Sequence, residues 1–534
     1  MTENDYYPMA RAVRASYGEA SDDETLEPLV LTDESGLPVG RIKKGDSVIF
    51  YNIRGEREIE LTRSLTERGF QEFPGTGDLN LSFATMIQYH RDLKVHVAFP
   101  PEERLSDTLS EVLSRTGKRQ IKITEAEKAV HLGFFFNGKD ATLRQGEERI
   151  VIPTRKDVTL FDEAPEMSIE EITGAVTKAI HSGGYDFIGV NYPNVDVVGH
   201  IENETAILRA VEAVDHHTGL VIDEAVKAGM AVVVTADHGT VEQWLYPDGA
   251  VNTGHTDSPV PFIVIVPGKA VELPAQGDLT DIAPTVLHLM GIEKPPVMTG
   301  NSLIQGCRGM DASRVLFLIL DGWGLNDEKQ GNLIARARTP VMEELMRTQA
   351  SSRLAASGLA VGLPEGMVGN SEVGHLHIGA GRRIYSDRVR IDRAIADGTF
   401  RRNETFLSVM EACRASGTAL HLMGIVSFFS SHGSVDHLLA LMELARDAGI
   451  RDVYIHAMLG RRGEKPESGF IYTKKIEEAC RQLSQGTVAS VIGRYWSMDR
   501  EDNWDRIEKT YRMLVYGEGK HIAIRGNRDG RGNQ

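Results

Sequence analysis

The sequence predicts an α/β protein with two domains, and three observations predict it. Short apolar runs, each long enough for one buried strand, recur between helical patterns along the chain. Several of these runs end in an acidic residue or a histidine, as strands do when they point at a site. The chain has 534 residues, enough for two full-sized cores, with 41% hydrophobic and 25% charged residues, an ordinary globular balance.

In chain order the apolar runs are VIFYN (48–52), VHVAF (95–99), FIGVN (187–191), AVVVT (231–235), FIVIV (262–266), VLFLIL (315–320), ALHLM (419–423), VYIHAM (453–458) and VASVI (488–492). All read as buried strands, because they lack the polar alternation of a half-exposed strand. Amphipathic stretches lie between them. After residue 204, Ile207, Val211, Val214, Thr218, Val221 and Ala225 recur at steps of three and four, which marks one face of a helix. Strands alternating with helices imply largely parallel sheets in α/β layers. The Gly-rich tail GNRDGRGNQ is expected to be disordered.

Charge and cysteine usage exclude several classes. The formal net charge of −17 argues against a nucleic-acid partner, which would call for a basic face. Cys307, Cys413 and Cys480 form no CxxC pair, so they give no zinc site and suit a reducing cytoplasm. The start, MTENDYYPM, is polar and acidic, unlike a signal peptide, and no run approaches the ~20 apolar residues of a membrane span.

VLFLIL ends in Asp321, AVVVT is followed by Asp237 and His238, and FIGVNYPNV is followed by Asp196, with His200 four residues on. In an open α/β sheet these could converge, joined by His255 of NTGHTDSPVP. Each alone has a plainer reading: a strand-end Asp as a cap or turn residue, a D-x-x-x-H pair as a helix-face coincidence. Together they suit Mn²⁺, Zn²⁺ or Fe²⁺, and six such ligands suggest two ions rather than one. The pair His216-His217 lies mid-helix and reads as structural or solvent-facing.

Ser371, in the Gly-bracketed turn of GMVGNSEVGHLHIGAGR (366–382), is a candidate nucleophile at a helix start, or else a plain N-cap. Arg54 and Arg57 follow VIFYN, Arg461 and Arg462 follow VYIHAM, and Arg494 and Arg500 follow VASVI. Each alone is an ordinary surface arginine. Three groups in one topological position fit a second, anion-binding cleft.

Taken together, LDGWG, GLPEGMVGNSEVGH, IGAGR, SSHGSVDH, ASVIGRYWSMDREDNWDR, ITEAEKAVHLGFFFNG, EMS, NYPNVDVVGH, TADHG, GHT and PVMTGNSL resemble the cofactor-independent (2,3-bisphosphoglycerate-independent) phosphoglycerate mutases of the alkaline-phosphatase superfamily. The order differs. In that family LDGWG lies near the N-terminus and MTG-x-SL near the C-terminus; here PVMTGNSL (296–303) runs into VLFLILDGWG through a short linker. The sequence resembles a circular permutant, with its new ends after WDRIEKTY. The resemblance implies an α/β fold with an alkaline-phosphatase-like phosphatase domain at 102–387. It implies an α/β phosphotransferase domain split between 1–101 and 388–534.

The resemblance also implies roles. Asp321, Ser371, Asp237 and His238 match the ligands of one divalent ion, and Asp196, His200 and His255 those of a second. Mn²⁺ is the first expectation, with Mg²⁺, Co²⁺ or Zn²⁺ as alternatives. Ser371 matches the nucleophile that becomes phosphoserine, and Lys128 a lysine that contacts the phosphate. His432, Arg462, Arg494, Arg500, Arg54 and Arg57 match the substrate-binding set. The implied partner is a small phosphorylated acid, with no nucleic acid or membrane, in a cytoplasmic monomer. Three positions depart from the family. Gly463, in HAMLGRRGEKP, stands where the family has an aspartate thought to act as general base; Ser434 replaces a frequent histidine, and Thr240 follows TADHG where Asn is usual. Glu464 could serve instead of the aspartate. The altered pocket leaves a rival reading, a relative acting as phosphotransferase or phosphatase on another small phosphorylated or phosphonate acid. A non-catalytic protein that kept the fold would have no reason to retain the seven metal-site positions.

Overall fold

The computed structural model describes residues 7–17, 22–101, 104–305, 312–427, 430–460 and 467–524. Arg461, Arg462, Gly463, Glu464, Cys307, most of the 305–314 linker and the Gly-rich tail lie outside the described residues. Sixteen strands are described. The first four are β1 (Leu29–Thr32), β2 (Ser47–Phe50), β3 (Ser82–Ile87) and β4 (His96–Phe99). The next eight are β5 (Gln120–Glu125), β6 (Glu147–Ile152), β7 (Phe187–Tyr192), β8 (Ala231–Thr235), β9 (Val260–Ile265), β10 (Gln276–Asp278), β11 (Val315–Leu320) and β12 (Ala350–Ala355). The last four are β13 (Leu420–Ile425), β14 (Val453–Leu459), β15 (Thr487–Gly493) and β16 (Lys520–Ala523).

The chain divides into two compact units, one made of Met1–Pro101 and Asp387–Gln534, the other of Glu102–Ser386. The discontinuous unit holds one sheet in the order β16-β1-β15-β14-β13-β2-β3-β4. From β15 to β4 every neighbouring pair is parallel, and β1 closes antiparallel on β15. The continuous unit holds the other sheet, in the order β10-β12-β9-β8-β11-β7-β5-β6. Here β6, β5, β7, β11 and β8 run parallel, and β9 pairs antiparallel with β8.

Both architectures follow from side-chain pattern. β7, β8, β11 and β13 are buried at every residue, as strands covered on both faces must be. The helix Glu204–Lys227 buries Ile207, Val211, Val214, Thr218, Val221 and Ala225. Its start is capped by Asn203, whose side chain accepts from Ala206 N at 3.2 Å. One strand differs from the buried reading. β4 ends the order of its sheet, and His96 at its start is exposed. Within the same long helix His216 is exposed, and His217 Nδ1 lies 2.9 Å from Thr173 Oγ1.

Candidate metal and nucleophile site

In the continuous unit the registers set the carboxyl ends of three strands flush: Leu320 of β11 lies beside Tyr192 of β7, and Ile319 beside Thr235 of β8. Asp321 is therefore the first residue past β11, Asp237 and His238 follow β8, and Asp196 sits in the short helix Asn194–Gly199 after β7. Lys128 closes the 3-10 turn that follows β5. Because β9 is antiparallel to β8, the loop carrying His255 enters at this same edge. Two glycines let the segments approach. A Cβ on Gly322, whose φ is +82°, would lie 2.8 Å from the Asp196 backbone, and one on Gly374 would lie 2.6 Å from the Asp237 carbonyl.

Ser371 opens the ten-residue helix Ser371–Ala380. It is not the cap: Asn370 takes that role, accepting from Val373 N at 3.1 Å. The Ser371 hydroxyl is thus left to the site, at the positive end of the helix. Its Oγ lies 2.6 Å from Lys128 Nζ, 3.0 Å from His238 Nε2 and 3.3 Å from Asp321 Oδ1. Lys128 Nζ also reaches Asp196 Oδ2 at 2.7 Å and Asp321 Oδ1 at 2.9 Å. All of these side chains are buried.

Three carboxylates around one ammonium dominate the electrostatics. Burial alone would lower the Lys128 pKa, but Asp321, Asp196 and Asp237 hold it above the ordinary lysine range. Burial likewise opposes a charge on His238, yet Asp237, Asp321 and Asp196 push its pKa up to about 10. Asp196 and Asp237 stay well below the usual carboxylate range despite burial, through Lys128 and the imidazoles around them.

The donor set fits divalent cations. His200 Nδ1 faces Thr253 O at 2.7 Å and His255 Nδ1 faces Gly369 O at 3.0 Å. A proton on each Nδ1 leaves both Nε2 atoms as lone-pair donors. Those two nitrogens are 3.2 Å apart and lie 3.3 and 3.2 Å from Asp196 Oδ1. Three lone-pair donors facing one another repel unless a cation lies among them. Asp237 Oδ2, moreover, is buried with no hydrogen bond of its own.

Two triads of ligand atoms emerge, Asp196–His238–His255 and Asp237–Asp321–His375, with the atoms of each within 4.8 Å of one another. They divide the histidines differently from the expected sets. His238 Nε2 stands between the two, 3.5 Å from Asp321 Oδ1, 3.6 Å from Asp237 Oδ2 and 3.7 Å from Asp196 Oδ1. His375 was not among the expected ligands. Its Nδ1 is 3.1 Å from Asp237 Oδ2 but bonds the Ser371 carbonyl at 2.9 Å, and its Nε2 lies 3.0 Å from Asn191 Nδ2. With both ring nitrogens engaged it orients the ligands rather than offering a lone pair. Asn191 in turn donates to Asp321 Oδ2 at 2.7 Å. Thr240 Oγ1, 3.5 Å from Asp196 Oδ1, touches the same cluster. The spacing of Ser371 and His375, four residues apart on one helix, was the sequence signal for His375.

The discontinuous unit carries the arginines. Arg54 Nη2 and Arg500 Nη1 share the Glu56 carboxylate at 3.2 and 3.1 Å. Arg57 Nη1 donates to Met498 O at 3.0 Å. His432 Nδ1 lies 3.1 Å from Glu58 Oε1, and Arg57 N donates to Glu58 Oε2 at 3.0 Å. Four of the six expected substrate residues are therefore linked through two glutamates. Arg494, buried at the end of β15, lies 3.8 Å from Glu24 instead. Arg462 is outside the described residues.

Fold and site define a protein built to hold divalent cations at the carboxyl ends of parallel strands. A family model described as the metalloenzyme superfamily matches residues 26–294, half of the chain, and the chain belongs to that superfamily. A model described as the BPG-independent PGAM N-terminus matches residues 391–528. The 2,3-bisphosphoglycerate-independent phosphoglycerate mutase of Methanococcoides burtonii is 42% identical over 298 residues, 55% of this chain and 57% of the relative. The protein of that name from Clostridium novyi is 43% identical over 297 residues, with the same shares. The matched stretch thus spans a little over half the length of these relatives. A crystal structure of Leishmania mexicana phosphoglycerate mutase at low cobalt concentration is 30% identical, covering 51% of this chain and 53% of its own. Its TM-score of 0.35 is too low for the overlay to bear on the architecture.

Proposed function

We propose that the chain is a metal-dependent phosphoglycerate mutase that interconverts 3-phosphoglycerate and 2-phosphoglycerate through a phosphoserine at Ser371. One observation carries the reading: a hydroxyl at a helix start, not used as the cap, lies 2.6 Å from a buried ammonium, inside a cluster of three carboxylates and four imidazoles. The relatives' names and the second family model support the same reaction. The model described as N-terminal matches 391–528, after the metalloenzyme match at 26–294, which supports a permuted order. Under this reading 102–387 is the phosphatase domain, and 1–101 with 388–534 is the phosphotransferase domain.

Asp321, Ser371, Asp237 and His238 would hold one divalent ion and Asp196, His200 and His255 the other, with Mn²⁺ the first expectation. Bound there, the ions supply positive charge that draws electron density from the phosphoryl and seryl oxygens. Ser371 Oγ attacks phosphorus in line while the helix N-terminus favours its negative charge. Lys128 holds the phosphoryl oxygens and donates toward the leaving oxygen. His375 and Asn191 keep Asp237 and Asp321 oriented. Arg54, Arg57, Arg462, Arg494, Arg500 and His432 bind the phosphorylated acid. Catalysis is then mostly positioning and charge stabilisation. A monomer in the cytoplasm, without nucleic-acid or membrane partners, completes the proposal. No helix among the described residues is long and apolar enough to cross a membrane.

Phosphorus NMR of the Mn²⁺-loaded protein with 3-phosphoglycerate tests the proposal. 2-Phosphoglycerate appears with the wild type, and Ser371→Ala lowers its rate by at least ~10³-fold. Mutase turnover that survives Ser371→Ala would overturn the mechanism. Free phosphate as the only product would mean that re-transfer is absent and would favour the phosphatase reading that Gly463 raises. Gly463→Asp is the companion variant.

A further inference from the structure

In the discontinuous unit a carboxylate and an imidazole are paired for no evident structural gain. Glu58 is fully buried and His432 nearly so. Glu58 precedes the helix Ile59–Thr66 and His432 lies in the loop after β13, so the pair joins the carboxyl ends of two neighbouring parallel strands, β2 and β13. His432 Nδ1 is 3.1 Å from Glu58 Oε1. Asn52 Nδ2 donates to the same oxygen at 2.6 Å, and Arg57 N donates to Oε2 at 3.0 Å. Ile53 N donates to the His432 carbonyl at 2.7 Å, and His432 N donates to Ser430 Oγ at 3.1 Å. Both partners are therefore fixed.

Among the described residues, no lysine or arginine closes on the Glu58 carboxylate within 4.0 Å, and His432 is its one cationic partner. The Arg57 guanidinium goes to Met498 O instead. Burying a carboxylate with an imidazole as its one cationic partner is costly, and a neutral amide could also accept from Asn52 and the Arg57 amide. The charge is thus there for the ring. A proton held on Nδ1 by Glu58 leaves Nε2 as the basic nitrogen, and Glu56, two residues before Glu58, gathers Arg54 and Arg500 at 3.2 and 3.1 Å.

We propose that Glu58 and His432 form an acid–base dyad in which His432 is the catalytic base and Glu58 its positioning residue. This rests on the mutase reading. As the phosphoryl group returns to substrate, the acceptor hydroxyl's O–H bond breaks and its O–P bond forms. The proton goes to His432 Nε2, and the seryl oxygen keeps the electron pair of the broken O–P bond. In the reverse direction the imidazolium gives the proton back. The dyad takes over the role left open by Gly463.

The test is a pH series of wild type, Glu58→Gln, Glu58→Asp and His437→Gln, all Mn²⁺-loaded, with 3-phosphoglycerate as substrate. Beside the His432 loop, Arg388 Nη1 donates to Ser430 O at 3.1 Å. Burial pushes the Tyr89 hydroxyl well above its usual range, and Asp499, despite burial, is held low by the Asn503 and Glu501 amides. His437, bonded to Asp392 at 2.7 Å, is the other nearby imidazole and the control. Glu58→Gln lowers kcat by about 10- to 100-fold with KM within about threefold. The acidic limb of the kcat profile moves to lower pH, because removing the negative charge makes the imidazole easier to deprotonate. Glu58→Asp recovers part of kcat, and carries the test if the Gln variant does not fold. His437→Gln leaves the limb in place. A wild type that interconverts the phosphoglycerates, with a Glu58→Gln variant of unchanged kcat and limb, would overturn the dyad alone. A wild type that gives no 2-phosphoglycerate at any pH would overturn the mutase reading, and the dyad's step with it.

Discussion

The two units build sites by the same rule and fill them with opposite chemistry. Each has parallel strands whose carboxyl ends carry the polar side chains. In the continuous unit those side chains are oxygen and imidazole donors around a buried cluster, and the surplus is negative. In the discontinuous unit they are guanidinium groups, with an imidazole held by a glutamate. The first invites cations, the second anions. The strand framework decides where ligands gather, and the residues just past each strand decide which ligands they are.

The comparison breaks most sharply at the metal cluster. Asp321→Asn weakens Mn²⁺ binding, read by calorimetry, and lowers kcat by at least ~10³-fold. Arg57→Ala instead raises KM by about tenfold, with a smaller change in kcat. Equal effects on both parameters in both variants would erase the division of labour between the units.

The sheet interiors differ too, with a smaller effect. In the continuous unit Lys122 Nζ lies 3.0 Å from Glu147 Oε1 and 2.7 Å from Ser110 Oγ, and also contacts Asn137. Burial brings the Lys122 pKa down to about 8, although Glu147 opposes the shift. Lys122→Met leaves Arg149, at 2.9 Å, as the remaining cation on Glu147, and costs at most about 3 kcal/mol of stability in urea unfolding, whereas Lys122→Met with Glu147→Leu costs less. A single variant as stable as the wild type would show that the pair does not stabilise the unit.

The discontinuous unit holds a chain of neutral rings instead. Asp46 Oδ2 lies 3.1 Å from His421 Nε2, His421 Nδ1 lies 3.0 Å from His456 Nε2, and His456 Nδ1 lies 2.8 Å from Ser490 Oγ. Burial, with His421 adding to it, keeps the His456 pKa well below the ordinary value. An imidazole so depressed adds stability that is complete above the unfolded pKa of about 6.5 and is lost as pH falls through the folded value. Relative to His456→Gln, the wild type therefore loses about 1–2 kcal/mol between pH 7 and 5. Parallel stability curves for the two proteins would remove the imidazole from the acid response.

Apolar runs made nine strands legible in the sequence. β5 escaped notice because QIKITE buries the polar residues Gln120, Lys122, Thr124 and Glu125, which break the apolar run that marks the other buried strands. That strand delivers Lys128, which only the family resemblance had singled out. The acidic and histidine residues past strand ends were visible one by one. Their convergence depends on strand order, which local patterns do not encode. His375 and Glu58 were missed for a related reason. One looks like a helix residue and the other like one charge among many until the fold places each against an imidazole or a carboxylate.

The discontinuous unit also has a history on the ribosome. β2 needs β13, and β1 needs β15 and β16, yet the whole of Glu102–Ser386 is made in between. At synthesis rates of roughly 5–20 residues per second, the first four strands wait tens of seconds for their partners. During that wait the β2 edge lies open while the continuous unit is free to fold. The nascent chain is thus exposed to mispairing over the segment that carries β1 to β4, and a chaperone that covers the β2 edge would protect it until β13 is made.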